Sequence, residues 1–335
     1  MQWSFEATCV AAGARGIVVT ALFSAAFSVA AQQGELYPGK PVRLVSSLAP
    51  GSSGDRLARN FAEQLSAQIK QNVLVENRTG DGGNIAAMYV VKALPDGYTL
   101  LFSSTASLAI QMVYNAQSVN YSLTQDLMPV STVASIANGL FVTTAIAPDS
   151  LPALVRELKT KPGQYACASS GTGGLLHLTC ELFKRVAGVD VLHVAYKGST
   201  LFLPDLVSGR VALAFDNVPV YVPMVNSGRL KVVAVTSPKR VAVLQYVPTT
   251  AELGMPQLES SGLFGLLAPL RTPDAALKLV SRGTVDALRD KDARERGARE
   301  GVDLNGSTPD VLRRQIDNEM NKWARLIKDA NIKRD

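Results

Sequence analysis

Three times along this chain a short apolar run ends in a turn of small residues and passes at once into a helix-forming segment. The first case is Leu44 to Leu65, LVSSLAPGSSGDRLARNFAEQL, where Leu57, Ala58, Phe61, Ala62 and Leu65, continued by Ile69, fall on one helical face. The second turn, Asn77-Arg78-Thr79-Gly80-Asp81-Gly82-Gly83-Asn84, follows Val73 to Glu76, and the third, Ser170-Gly171-Thr172-Gly173-Gly174, follows Tyr165 to Ser169. Strand, turn and helix repeated at this spacing predict an α/β fold, a parallel sheet with helices on both faces. The turns after the strands then share one edge of the sheet, which is where ligands bind in such folds.

Taken in order, the spacing predicts strands at Val42 to Leu48, Val73 to Glu76 and Tyr98 to Phe102, with helices over Asp55 to Ile69 and through Ile85, Met88, Val91 and Leu94. The run Pro129 to Ile146 is β-prone throughout and is suited to carry the chain from one sheet into another. Alternation resumes with helices at Leu151 to Lys159, Leu175 to Val186 and Ser199 to Val207, and strands at Val191 to Ala195, Val211 to Asp216 and Leu230 to Thr236. Gly262 to Ala268 is extended again and is expected to cross back. Two helices follow, each announced by a Thr-Pro pair with Thr as cap: Thr272-Pro273 and Thr308-Pro309. Two crossings divide the chain into a discontinuous first domain, 32–133 plus 257–335, and a second domain, 134–256, inserted in it. The total of 335 residues is enough for two cores.

The turns bring bare backbone N–H groups to helix starts, where the partial positive charge of the helix suits a carboxylate or a phosphate. Candidate ligand contacts are Leu48, Ser52, Ser53 and Gly54 at the first turn, and Ser103, Ser104 and Thr105 after the third strand. From the second domain come Ser170, Gly171, Gly173, Gly174, His177 and Asp216. Ser52 and Asp55 also fit a capping box, so part of this turn serves the helix itself. His177 reads either as a donor that fixes its turn or as a ligand contact, and Asp216 as a pocket acceptor or a half-buried structural carboxylate. Enzymatic patterns fail: Ile85 and Leu176 break G-x-G-x-x-G, no phosphate-binding G-x-x-x-x-G-K-[ST] occurs, and no serine sits in G-x-S-x-G. A pairing of His177 with Ser170 as an exported hydrolase is the competing chemical reading.

The net charge of +6 is spread without a basic block interleaved with aromatics, which excludes a nucleic-acid surface of the usual kind. Ile17 to Ala31 is an uncharged run too short to span a bilayer; 1–31 reads as a signal peptide cleaved near Ala31, giving an exported, soluble protein. Cys9 lies in that segment. The remaining pair, Cys167 and Cys180, is either a disulfide of an oxidising compartment or two buried thiols. With two cysteines and two histidines, no metal site and no cofactor is expected.

The segments YPGKPVRLV, APGSSGDRLAR, VENRTGDGGNIAA, ALPDGYTLLF, SSGTGGLLHLTCELF, VAYKGS, SGRLKVVAVTSPKR, VPTTAELG and GLLAPLRTP occur in this order along the mature chain. Their order and spacing resemble the TctC-like Bug receptors, the periplasmic substrate-binding proteins of tripartite tricarboxylate transporters. The resemblance implies a type II periplasmic binding fold, two α/β domains closing on one small organic acid whose carboxylate is held at the first turn, partly through water. It also implies a monomer working with a membrane permease or, as an alternative output, with a membrane sensor kinase. The chain departs from the family at Ser47-Leu48, where Pro-Phe is usual, and at Ser52, Asp81 and Ala86. Losing the aromatic at Leu48 is expected to reshape the pocket. Asp81, if it faces the cleft, is expected to disfavour a second ligand carboxylate.

Overall fold

The computed structural model describes Met1 and residues 37–332; the expected signal peptide and its cleavage site fall outside the described residues. The order begins β1 (Val42–Ser46), α1 (Ser53–Ile69), β2 (Val73–Asn77), α2 (Asn84–Val91), β3 (Thr99–Ser104) and α3 (Thr105–Tyr114). β1 pairs in parallel with β2 on one side and β3 on the other, as the repeat predicts. Next comes β4 (Leu127–Thr143), seventeen residues long. Its first half, to Ala137, pairs antiparallel with β9 (Ser261–Pro269), and its second half, from Asn138, pairs with β7 (Leu213–Asn217) and β8 (Leu230–Val235).

Between these lie α4 (Leu151–Thr160), β5 (Ala166–Ser169), α5 (Leu175–Ala187), β6 (Leu192–Ala195), α6 (Ser199–Ser208) and α7 (Val218–Asn226). β5 pairs in parallel with β6 and β7. The chain ends with α8 (Asp274–Ala287), α9 (Lys291–Glu300), β10 (Val302–Leu304) and α10 (Pro309–Asp329). The result is one curled sheet, β2-β1-β3-β9-β4-β7-β5-β6, in which β4 is common to both ends. β4 therefore makes the crossing that its composition suggests. β9 does not leave the first half: its partners are β3 and residues 127–137 of β4.

Helices cover both faces, because each half of the sheet buries apolar residues on two sides. Phe61 and Leu65 of α1 pack with Val280 of α8 against one face of the first half; Ala86, Ala87 and Leu312 close the other. In the second half Phe183 and Leu154 lie on one side, Phe202 and Tyr221 on the other. Trp323 of α10, 1% exposed, joins the core that also contains Ala106 and Ile110 of α3 and Leu178 of α5, so these three helices tie the two halves together. Cys167 on β5 and Cys180 on α5 are bridged, with Cα atoms 6.7 Å apart.

Some local expectations are corrected. Helices α3 and α7 start where only a hydroxyl cluster and a strand end were read. Three helices, not two, follow β9, α9 being the additional one. At α8 the cap is Pro273 in extended conformation rather than Thr272, whose hydroxyl donates instead to the Pro269 carbonyl. Among the described residues no helix is long and apolar enough to cross a membrane.

Candidate functional site

The ends of the strands and the starts of the helices meet around a cavity of about 110 Å³. Its lining includes Ser52, Gly83, Ser104, Gly174, Gly198 and Asn217. These are the N-cap residues of α1, α2, α3, α5, α6 and α7 respectively. Each helix start carries roughly half a positive charge and N–H groups with no helical acceptor. Four of the six, at Gly83, Gly174, Gly198 and Asn217, receive no capping bond from the side chain of their own N-cap residue, although the Leu175 N–H of α5 is taken by Ser107 Oγ and the Leu201 N–H of α6 by the Gly198 carbonyl. The six starts together make the cavity an electropositive trap of backbone donors.

The first turn folds around Asp55. Ser52 Oγ accepts the Asp55 N–H at 3.2 Å, the forward half of the capping box. The carboxylate does not return to the Ser52 N–H. It accepts from the Gly51 N–H at 2.9 Å, from Asn77 Nδ2 at 2.7 Å and from Arg59 Nε at 3.1 Å. Burial pushes this carboxyl upward, but the bonds from Asn77, Gly51 and Arg59 outweigh it and hold the group below the ordinary aspartate value. Asp55 is thus an internal clamp, which leaves Ser52 and Gly54 at the cavity wall.

Of the sequence-derived candidates, Leu48, Ser52, Gly54, Ser104, Ser170, Gly171, Gly174 and Asp216 line the cavity. Five others stand behind it or turn away. Ser53 is buried on the far side of α1, in a groove formed with α9. Ser103 is buried, its hydroxyl 2.8 Å from that of Ser47, and Thr105 donates to the Leu263 carbonyl at 3.2 Å. Gly173 holds a φ of +72° that strains any other residue, and an added Cβ would stand 2.6 Å from the amide ends of Gln111 and Asn115.

His177 is fully buried and braces the turn from below: its Nδ1 accepts the Gly173 N–H at 2.9 Å. It therefore acts as an acceptor toward the turn, not as a donor. His177 stacks on His193 at 3.9 Å, and His193 Nε2 lies 2.7 Å from Ser169 Oγ, which in turn accepts the Gly171 N–H at 3.4 Å. Both histidines of the described chain thus hold the second turn in shape. Asp81 is exposed and lies outside the lining; its carboxylate accepts from Asn84 Nδ2 at 3.2 Å.

Several cavity residues escaped the sequence reading. Ser47, Ala49, Thr79, Gly80, Gly82, Gly83, Ser107, Lys197, Ser199, Asn217 and Phe264 all contribute. Phe264 supplies an aromatic ring although position 48 has none. A Cβ at Gly54 would stand 2.5 Å from Leu48 Cδ1 and 3.0 Å from Phe264 Cε1, so the glycine makes room for both. The rims also touch. Ser107 Oγ accepts the Leu175 N–H at 3.2 Å, Gln111 Nε2 donates to the Thr172 carbonyl at 3.3 Å, and Ala49 abuts Gly198.

Lys197 and Asp216 are the only ionisable side chains in the lining. Asp216 ends β7 and is 3% exposed. Burial raises its carboxyl to about 6, against hydrogen bonds from Ser199, the Asn217 N–H and Tyr221 that pull it down. Because this value lies above the ordinary aspartate one, the native state retains a proton that the unfolded chain releases. Stability from this group is therefore greatest at acid pH and falls as pH rises through 6, by about 3 kcal/mol when complete. Urea unfolding at pH 4.5 and 7.5 is expected to show a loss of roughly 2 kcal/mol in the wild type that Asp216→Asn does not share. Parallel pH profiles of the two proteins would refute it.

A curled α/β sheet that gathers helix starts around one cavity has the architecture of the periplasmic solute-binding proteins. Within that class, this chain belongs to the TctC family, the tripartite tricarboxylate transporter receptors, whose model matches residues 57–332. It is 34% identical to protein BugT of Bordetella pertussis over 320 residues, 95% of this chain and 98% of the other. The fold matches R. palustris Rpa4515, solved with adipate, at TM-score 0.84 and 32% identity, over 89% of this chain and 99% of that one. It also matches MatC of Rhodopseudomonas palustris with bound malate at TM-score 0.81 and 26% identity, over 87% and 100%.

Proposed function

We propose that this protein is an exported receptor that captures one small carboxylate and delivers it to the membrane permease of a tripartite tricarboxylate-type transporter. The observation that carries this reading is the convergence of six helix starts on one cavity with a single buried carboxylate in it. Residues 32–133 with 257–335 act as one lobe and 134–256 as the other. β4 carries the chain across and the rims at Ala49 and Gly198 come together on closure. Contacts made with both lobes exist only in the closed state, so ligand binding shifts the opening equilibrium by their sum. Charge-assisted bonds of roughly 1.5–3 kcal/mol each supply it.

A thermal-shift screen of mono-, di- and tricarboxylates, including malate, adipate and nicotinate, tests the reading, since a ligand held only by the native state raises its melting temperature. A rise of several degrees with a small set of acids, without turnover of any of them, is the expected result. A protein unmoved by the whole panel would overturn the assignment.

A further inference from the structure

Asp216 is an anomaly in a cavity built for anions. Six helix starts favour negative charge in the ligand, yet the floor already holds a carboxylate that is 3% exposed and, among the described residues, has no cation paired with it. Its Oδ1 accepts the Asn217 N–H at 2.7 Å and its Oδ2 accepts the Tyr221 hydroxyl at 2.8 Å; the Ser199 hydroxyl is a third donor. A carboxylate has about four acceptor sites. Three internal donors leave one of them for the cavity that this side chain lines. A buried carboxylate is costly unless its hydrogen-bonding capacity is met.

We propose that Asp216 determines the specificity of the cleft by accepting a hydrogen bond from a hydroxyl or ammonium group of the ligand. The receptor then prefers a hydroxy or amino acid over the unsubstituted acid of the same length. This inference rests on the receptor reading above. The elevated proton affinity of Asp216 agrees with an acceptor that lacks its last donor. An unsubstituted acid leaves that acceptor unmet, and a further ligand carboxylate brought against it is repelled.

The test is titration calorimetry at pH 7.5 with matched acids: propionate, lactate and alanine; succinate, malate and aspartate; glutarate, 2-hydroxyglutarate and glutamate. Wild type is expected to bind the substituted member of the preferred length at least roughly tenfold tighter than its parent. Asp216→Asn is expected to remove most of that preference while leaving the parent acid bound as well or better. Tyr221→Phe provides a second handle. It keeps the carboxylate and the ring stacked on Phe141 but withdraws one internal donor, so it is expected to widen the preference.

Equal weakening of all acids by Asp216→Asn, an unchanged preference in that variant, or a wild type indifferent to the substituent would each overturn the inference while the receptor reading stands. If Asp216→Asn does not fold, a Tyr221→Phe protein with an unaltered preference overturns it. A wild type that binds none of these acids, nor any in the wider screen, refutes the receptor reading itself.

Discussion

Replacing Ala49 with tryptophan is expected to leave a folded protein that has lost most of its affinity for the ligand. Ala49 lies in the turn between β1 and α1, half-buried and outside either core. Opposite it stands Gly198, the cap of α6, where an added Cβ would lie 2.4 Å from the Ala49 Cβ. An indole at position 49 therefore has no space when the rims meet and ample space when they part. Overpacking of this kind costs about 1–3 kcal/mol, here charged to the closed form alone, which is roughly a 5- to 150-fold loss of affinity. Calorimetry with a ligand from the screen measures the loss, and circular dichroism and the unliganded melting temperature check that the fold is intact. Undiminished affinity would mean that capture does not require these rims to touch. The reciprocal change at Gly198 is a poorer test, because φ of +136° strains any other residue regardless of closure.

Asp55→Ala is expected to act on stability instead. It leaves the Gly51 N–H and the Asn77 amide without their acceptor. Each orphaned, partly buried donor costs about 1–3 kcal/mol, so a loss of roughly 2–6 kcal/mol is expected in denaturant unfolding at neutral pH. The bond to Arg59 adds little, since that guanidinium is half exposed. The folded carboxyl titrates below its ordinary value. Its contribution is thus present above the usual aspartate range and fades as pH falls through the lowered one, and the deficit of the variant narrows in acid. A variant as stable as wild type at pH 7 would show that the first turn holds its shape without the clamp.

The parts of this fold readable from sequence are those where a local pattern and its tertiary use coincide. The α1 face from Leu57 to Ile69 is buried as its period predicts. The uninterrupted β-prone run of β4 is the shared strand, and Leu312, Ile316 and Trp323 line the buried side of α10. α9, KDARERGARE, buries only Ala293, so no apolar stripe announces it. α7 carries Pro219 and Pro223, which read as breakers, although the first stands at the helix start where its missing N–H costs nothing. α3 opens on small residues that resemble a loop until Ser104 caps Ser107.

The site divides in the same way. Glycine and serine at strand ends mark where the wall is, so Ser52, Ser170 and Gly174 were accessible to sequence reasoning. Which neighbour faces the cavity depends on a rotation of about 100° per residue around each helix start, and this separates lining Gly54 from buried Ser53. Phe264 arrives from a strand more than two hundred residues after β1, and no local pattern points to it.

β4 runs unbroken through both ends of the sheet, and its ladder with β9 and β8 is offset near Ser131, Ala134 and Phe141. Such bulges interrupt the ladder locally, bend the strand and increase its twist, while the rest of its hydrogen bonds persist. In the receptor proposed above, opening and closing would therefore flex this strand like a leaf spring at those positions, not swing on a loop.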